Sequence, residues 1–448
     1  MNANVFILGL TILLLLPLPF SKPENGDTIS VKLPSVYNGD EPHYLLMMSS
    51  ITHDFDLDLK NNYLAVHKGS AQAGARFAGK SLVHHTFWYI NNRYYSWWDD
   101  HGVCGVVWEY NDSGILLPRM KDTVLAREIA ELPEYGTHPP GLAFILAPAL
   151  FPLRNSAMFE PMAIVYIAVI MVLAMLFFRY LLGAYTGDTR QRNMATAIVF
   201  LGSPLWYYGR TLFCEGPMAF CAIAAYGLYI IDKKTFFPGL LIAIGMLLKP
   251  VFGILAVPLF VHMFLYRNVG GSIRFVLALC LGIGVIFFLN HRMCGSIMNG
   301  SQLFILGNTF SGAWGLLTDT RQGLFLICPM TIIALILWPA FLRTYGYKAW
   351  LPASGFLLYF IIMATWPNWR GGDSYGPRLI VPVIPFVLLP LLLFLAHIRR
   401  YARMKTGIGI FVILISIFIN ANGVITSWKF ISRNPLIAAC VKACEWAF

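Results

Sequence analysis

The sequence predicts an all-α polytopic membrane protein with about 11 transmembrane helices and a large first outward-facing loop containing interfacial helices. Three observations predict it. The 448 residues are 57% hydrophobic and only 12% charged. Apolar runs of spanning or near-spanning length recur along the chain. The basic residues collect in alternate connections between those runs, as they do in cytoplasmic loops. A soluble enzyme with a single anchor does not have this recurrence.

The runs lie near 4–20, 157–182, 194–209, 216–231, 236–249, 251–266, 273–290, 323–342, 350–366, 379–397 and 407–424. The first, VFILGLTILLLLPLPF, lacks a basic start and an A-x-A-like end, which favours a retained first helix over a cleaved signal peptide. The short runs 236–249 and 251–266 meet at Lys249-Pro250. Proline breaks a helix interior, so a tight hairpin is predicted there. GLAFILAPALFPL at 141–153 is apolar, too short to span and contains Pro148 and Pro152. It reads as lying along or dipping into the interface. The organisation is thus a first transmembrane helix (1–20), an outward-facing loop with an acidic motif (21–156), a multi-pass domain (157–424) and an outward-facing tail (425–448).

A net charge of +11 could suggest nucleic acid. Its distribution points instead to topology. Arg179, Arg190 and Arg192 share one connection, Lys233 and Lys234 a second, Arg267 and Arg274 a third. Arg343 and Lys348 follow, then Arg399, Arg400, Arg403 and Lys405. These are every second connection, which makes them cytoplasmic and puts the N-terminus inside and the C-terminus outside. Cys214, Cys221, Cys280 and Cys328 fall in or beside apolar runs as small packing residues. Cys104 and Cys294 are read in loops and Cys440 and Cys444 in the tail, and spacing assigns no disulfide among them.

The outward face collects the chemically unusual residues. In GDEPHYL (39–45), Asp40 and Glu41 stand close to lipid, where acids mark chemistry or ion handling. A helix start at Pro42 explains the same residues more plainly, and both readings can hold together. Asp54, Asp56 and Asp58 alternate with apolar residues, which puts three carboxylates on one side of an extended segment. A solvated turn or strand fits them better than a metal-dependent nucleotide-sugar site. His84, His85, His101 and His138 lack the spacing of a strong metal motif and read as surface or packing histidines. His138 is the exception, through the resemblance given below. Glu215 is either a helix-capping acid or a second site carboxylate. Lys249 is either a snorkelling lysine or a phosphate contact. WRGGDSYGPR (369–378) combines glycines with Arg370 and Arg378, which suits phosphate or pyrophosphate binding over a simple headgroup anchor.

These segments occur in one order: GDEPHYL, DFDLDLKNNY at 54–63, THPPGLAFILAP at 137–148, the turn from Arg210 to Glu215, LLKP at 247–250, GLLTDTRQGLFLICP at 315–329 and NWRGGDSYGPRLIVPVIP at 368–385. The set resembles the C-type membrane glycosyltransferases, the broad group of protein O-mannosyltransferases and the lipid A aminoarabinose transferase. The resemblance implies that the catalytic acid is Asp40 or Glu41, with Glu215 a further acid. It implies Arg378 and Lys249 at the lipid phosphate, joined by Arg370. It places His138 near the site, with Tyr44 and Trp369 of the same motifs lining it. Residues 64–136 depart most from the family pattern.

The activity this implies is transfer of a sugar from a polyprenyl-phosphate donor to an acceptor hydroxyl, with inversion at the anomeric carbon. The acceptor is a glycan, lipid or protein, and the place is the outer face of a bacterial cytoplasmic membrane. No cofactor is assigned and a divalent metal is left open. No glycine-rich dinucleotide signature occurs. The alternative function is a transporter or flippase of a lipid-linked sugar. That class should carry polar residues at mid-bilayer and an internal repeat, whereas here the acids lie at one end of clean runs.

Overall fold

A computed structural model describes residues 39–67, 84–90, 93–99, 106–110, 116–120, 132–298, 306–372, 374–397 and 403–425, with Gly9, Val36, Phe77, Leu82 and Gly300. The expected first helix (Gly9 apart), the tail beyond 425, and His101, Cys104, Arg399, Arg400, Cys440 and Cys444 lie outside the described residues.

The first loop begins its described part with helix α1 (Glu41–His53). Gly39, at φ +67, turns the chain into it, a conformation that costs glycine little. Pro42 occupies its first turn, where the missing N–H is not needed. Helix α2 (Lys60–His67) follows. Strands β1 (His84–Ile90), β2 (Arg93–Asp99), β3 (Val106–Tyr110), β4 (Leu116–Met120) and β5 (Tyr135–Gly136) then form one antiparallel sheet in the order β4-β3-β2-β1-β5. This sheet corrects the all-α expectation. Its aromatic residues have high strand propensity. Burial runs nearly unbroken along His84, Thr86, Phe87 and Trp88, so the period-2 alternation of a half-buried strand is absent. Phe87 and Tyr94 pack on Leu289, Met293 and Cys294.

Helix α3 (Gly141–Leu150) forms where the interfacial segment was expected. A Cβ on Gly141 would fall 2.0 Å from the Leu247 carbonyl oxygen, so only glycine lets the start of α3 approach the end of the 236–248 helix this closely. The remaining helices are α4 (Phe159–Leu181), α5 (Thr189–Leu201), α6 (Leu205–Tyr208), α7 (Glu215–Asp232), α8 (Phe236–Leu248), α9 (Ala256–Leu265), α10 (Val269–Cys294), α11 (Thr309–Thr318), α12 (Leu324–Ile327), α13 (Met330–Tyr345), α14 (Tyr347–Thr365), α15 (Ile384–Val387), α16 (Leu391–His397) and α17 (Arg403–Ile425). Cys294 therefore ends α10 and is buried, not held in a loop. Among the described residues, five helices, 159–184, 269–294, 347–365, 378–397 and 404–424, are long and apolar enough to cross a membrane. The chain thus has the make-up of a helical membrane protein.

Three expected spans are interrupted. The run 194–209 breaks between α5 and α6 at Gly202–Pro204, and 323–342 breaks between α12 and α13 at Cys328-Pro329. The run 379–397 opens as a 3-10 turn, Arg378–Val383, before α15 and α16. Prolines 204, 329, 382 and 390 supply no N–H and end or tighten each helix. Freed carbonyls among apolar helices need donors. The Asn420 side-chain amide, on α17, donates to Gly202 O at 3.0 Å and Ile327 O at 2.9 Å, closing two breaks at once. At Lys249-Pro250 the expected tight turn is instead a 3-10 segment, Pro250–Leu255, between α8 and α9. Tyr44, Leu45 and Met48 of α1 share one core with Phe159, Phe213 and Ile380, so the first loop is packed into the helical body.

Candidate functional site

Asp40, Glu215 and Arg378 each stand where a helical segment begins, and Lys249 where α8 ends. The backbone explains each placement. Asp40 holds the N-cap position of α1, yet its side chain makes no capping bond. Its carboxylate is therefore turned to other partners. Pro250 disfavours a helical conformation in the residue before it, and Lys249 is extended at φ −152 and ψ 119. That bend carries its side chain away from the α8 surface to Glu215.

Arg378 is the hub. Its Nη2 donates to Asp40 Oδ2, its Nε to Glu215 Oε1 at 2.8 Å and its Nη1 to Gly371 O at 3.3 Å. The guanidinium carbon lies 4.4 Å from the centre of the Phe213 ring, a cation–π distance. Lys249 Nζ donates to the same Glu215 Oε1 at 2.6 Å. The chain of charges Asp40, Arg378, Glu215, Lys249 alternates in sign and sums to zero. Buried charges are tolerated only when paired in this way. Relative side-chain exposure is 1% for Glu215, 7% for Arg378 and 13% for Lys249, but 21% for Asp40. Asp40 is thus the member a ligand meets most readily.

Burial by itself would raise the Asp40 carboxyl, but Arg378, His138 and Lys249 outweigh it and hold the group well below the usual carboxylate range. Asp40 is ionised and, while paired with Arg378, a weak base.

A second group adjoins the first. His138 Nδ1 lies 3.5 Å from Asp40 Oδ2. His138, His43 and His85 each offer a ring nitrogen within 4.8 Å of the others. Burial pushes His43 well below its ordinary value, His138 below its own, and His85 down to about 3. His43 Nδ1 is 2.7 Å from the Tyr63 hydroxyl. Tyr44 packs its ring 5.6 Å from His138 and donates to Cys214 Sγ at 3.7 Å.

The structure therefore brings together Asp40, Glu215, Lys249, Arg378, His138 and Tyr44. It separates three others. Glu41 Oε1 accepts from the Leu212 backbone N–H at 2.7 Å, so this acid ties α1 to the turn before α7. Arg370 Nη2 pairs with Asp319 Oδ2 at 3.1 Å, with its side chain 62% exposed. Trp369 packs against Gly315 of α11. The Gly371 carbonyl, accepting from Arg378 Nη1, links their segment to Arg378. Glu41, Arg370 and Trp369 thus stand outside the charge cluster, because backbone and surface partners already take them.

The alternating aspartates each close local structure: Asp54 accepts from the Asn61 and Asn62 side chains, Asp56 from Ser50 and Asp58 from the backbone of Lys60 and Glu134. His84 Nε2 pairs with Glu134 Oε2 at 2.8 Å. The sequence reading missed His43, which lies in GDEPHYL three residues after Asp40, a helical spacing that puts both on one side of α1. It gave no role to Phe213, the platform under Arg378, and named Arg210, whose buried Nη1 has no partner among the described residues, only as the start of the turn to Glu215. Comparison with family models, with curated proteins and with solved structures finds no match for this chain.

Proposed function

We propose that this chain is a membrane glycosyltransferase, moving a sugar from a polyprenyl-phosphate donor to an acceptor hydroxyl on a glycan, lipid or protein. The observation that carries the proposal is the buried cluster of Asp40, Arg378, Glu215 and Lys249, assembled at helix ends with one carboxylate left partly open. The ordered motifs that resemble the C-type enzymes support it. The basic connections support a site facing outward from a bacterial cytoplasmic membrane.

The chemistry follows from the charges. The acceptor oxygen bonds to the anomeric carbon as the bond from that carbon to the phosphate oxygen breaks. The phosphate leaves with the electron pair, and the hydroxyl proton passes to Asp40. Arg378 and Lys249 stabilise the charge that develops on the phosphate. The Asp40–Arg378 pair sets the order of events. An arriving phosphate competes for the Arg378 guanidinium, which loosens its hold on Asp40 and restores basicity to that carboxylate. Glu215, held by both cations, keeps them in place during the exchange.

Mass spectrometry of cell-envelope glycans with and without the gene identifies the sugar and acceptor. The purified protein in lipid nanodiscs, given that donor and acceptor, then forms glycosylated product, and Asp40→Asn abolishes it. Donor carried across liposomes without transfer would replace this reading with the flippase one.

A further inference from the structure

We propose that His43, His85 and His138 form a binding site for a divalent transition metal with a preference for nitrogen ligands, zinc first among them. Three separate elements supply the ligands: α1 carries His43, β1 carries His85, and His138 follows β5. The pairing of Thr86 with Gly136 brings the segment that carries His138 up to β1, which carries His85. The ring centroids lie 5.5, 5.3 and 5.2 Å apart, close to an equilateral triangle. Their nearest ring nitrogens all fall within 4.8 Å of one another. A tetrahedral zinc with bonds of about 2.0–2.1 Å needs its nitrogens about 3.4 Å apart, so the three rings must close inward around the ion.

Two further observations separate this from a packed trio of histidines. The Nε2 of His138 is buried and has no hydrogen-bond partner among the described residues. Its other nitrogen faces the Asp40 carboxylate at 3.5 Å. His43 is oriented through one nitrogen as well, its Nδ1 lying 2.7 Å from the Tyr63 hydroxyl. Metal-bound imidazoles are oriented in this way, one nitrogen on the ion and the other on a carboxylate, carbonyl or hydroxyl. An all-imidazole set suits zinc, cobalt, nickel, copper or iron, and disfavours magnesium and calcium, which take oxygen ligands. Three protein ligands leave a further position for water or a ligand group.

The site stands apart from the sugar-transfer reading, because metal content is measured without donor or acceptor. The full-length protein in nanodiscs is stripped with a chelator, reloaded with zinc sulfate, desalted and measured by inductively coupled plasma mass spectrometry. The expected result is about one zinc per chain, with an X-ray absorption spectrum showing nitrogen neighbours at about 2.0 Å. His85→Ala and His138→Ala lose the zinc, while His53→Gln, at the far end of α1, retains it. Cobalt loading of the wild-type chain gives a folding-independent check. Intense four-coordinate visible bands that zinc displaces support the site, and weak octahedral bands overturn it. Substoichiometric zinc in the wild-type chain, or zinc kept by both alanine variants, equally overturns it.

Discussion

Two polar clusters buried among the described helices, one around Asn420 and one around Arg378, are built differently. Around Asn420 the groups are neutral: its amide N–H groups reach Gly202, Ile327 and Ser416 carbonyls, and its Oδ1 accepts from the Tyr375 hydroxyl. The bonds to Gly202 and Ile327 close two breaks in the helices. Around Arg378 the groups are fully charged, and the most exposed of them is the acid at one end. Broken backbone requires the first cluster. Nothing in the backbone requires the second, and apolar residues of similar volume could fill its place at lower desolvation cost. Paired charges with one end open are what a charged ligand needs.

The largest effect tests the hub of the charged cluster. Arg378→Ala leaves Asp40 and Glu215 without their shared cation, and removing one partner of a buried ion pair costs about 3–5 kcal/mol. Thermal denaturation should show that loss, and transfer activity should vanish. Arg378→Lys keeps the charge but loses the fork that spans two acids and a carbonyl. It should fold and use the polyprenyl-phosphate donor poorly. Wild-type donor kinetics with lysine would reduce Arg378 to an anchor.

The next effect separates the two adjacent acids. Asp40→Asn should lower turnover per folded molecule by about 10²-fold or more, as loss of a positioned base does, and should melt somewhat lower because Arg378 keeps only Glu215 as counter-charge. Glu41→Gln should stay within about tenfold of wild type, because the glutamine oxygen can still accept from the Leu212 N–H. Equal loss in both variants would show that the pair acts as a unit and would break the distinction drawn between them.

The neutral cluster should respond in the opposite sense. Asn420→Leu removes the donor to two helix breaks, and unsatisfied buried carbonyls cost about 1–3 kcal/mol. The melting temperature should fall while turnover per folded molecule stays within about twofold. Lost turnover in a fully stable Asn420→Leu protein would move Asn420 into the working site.

What was legible in the sequence divides along the same line. Apolar runs locate helices, since length and composition alone decide them, and the Lys249-Pro250 break follows from proline geometry. The interruptions at Pro204 and Pro329 stay hidden inside those runs, because the compensating donor, Asn420, lies about a hundred or more residues away in the chain. The sheet was missed because both faces of β1 are covered and no alternation survives. Glu41 and Asp40 are adjacent and chemically alike in sequence, and only the position of the Leu212 N–H tells them apart. The histidine trio depends on a strand pairing that no spacing encodes.

The smallest effect concerns Arg370, which shares a motif with Arg378 but not its surroundings. Arg370 meets Asp319 at 3.1 Å with its side chain 62% exposed, and its guanidinium carbon stacks 4.6 Å from the Trp369 ring centre. With the guanidinium in water, such an ion pair contributes about 0–1 kcal/mol. Asp319 keeps its backbone donors from Arg321 and Gln322 when Arg370 is replaced, so the loop stays closed. Arg370→Gln should therefore change melting by little and leave the donor KM within about twofold of wild type. Donor kinetics on Arg370→Gln and Arg378→Lys side by side give the sharpest form of the comparison. A KM for Arg370→Gln that rises as far as that of Arg378→Lys would extend the phosphate site to the exposed rim, and burial would no longer separate the working arginine from the structural one.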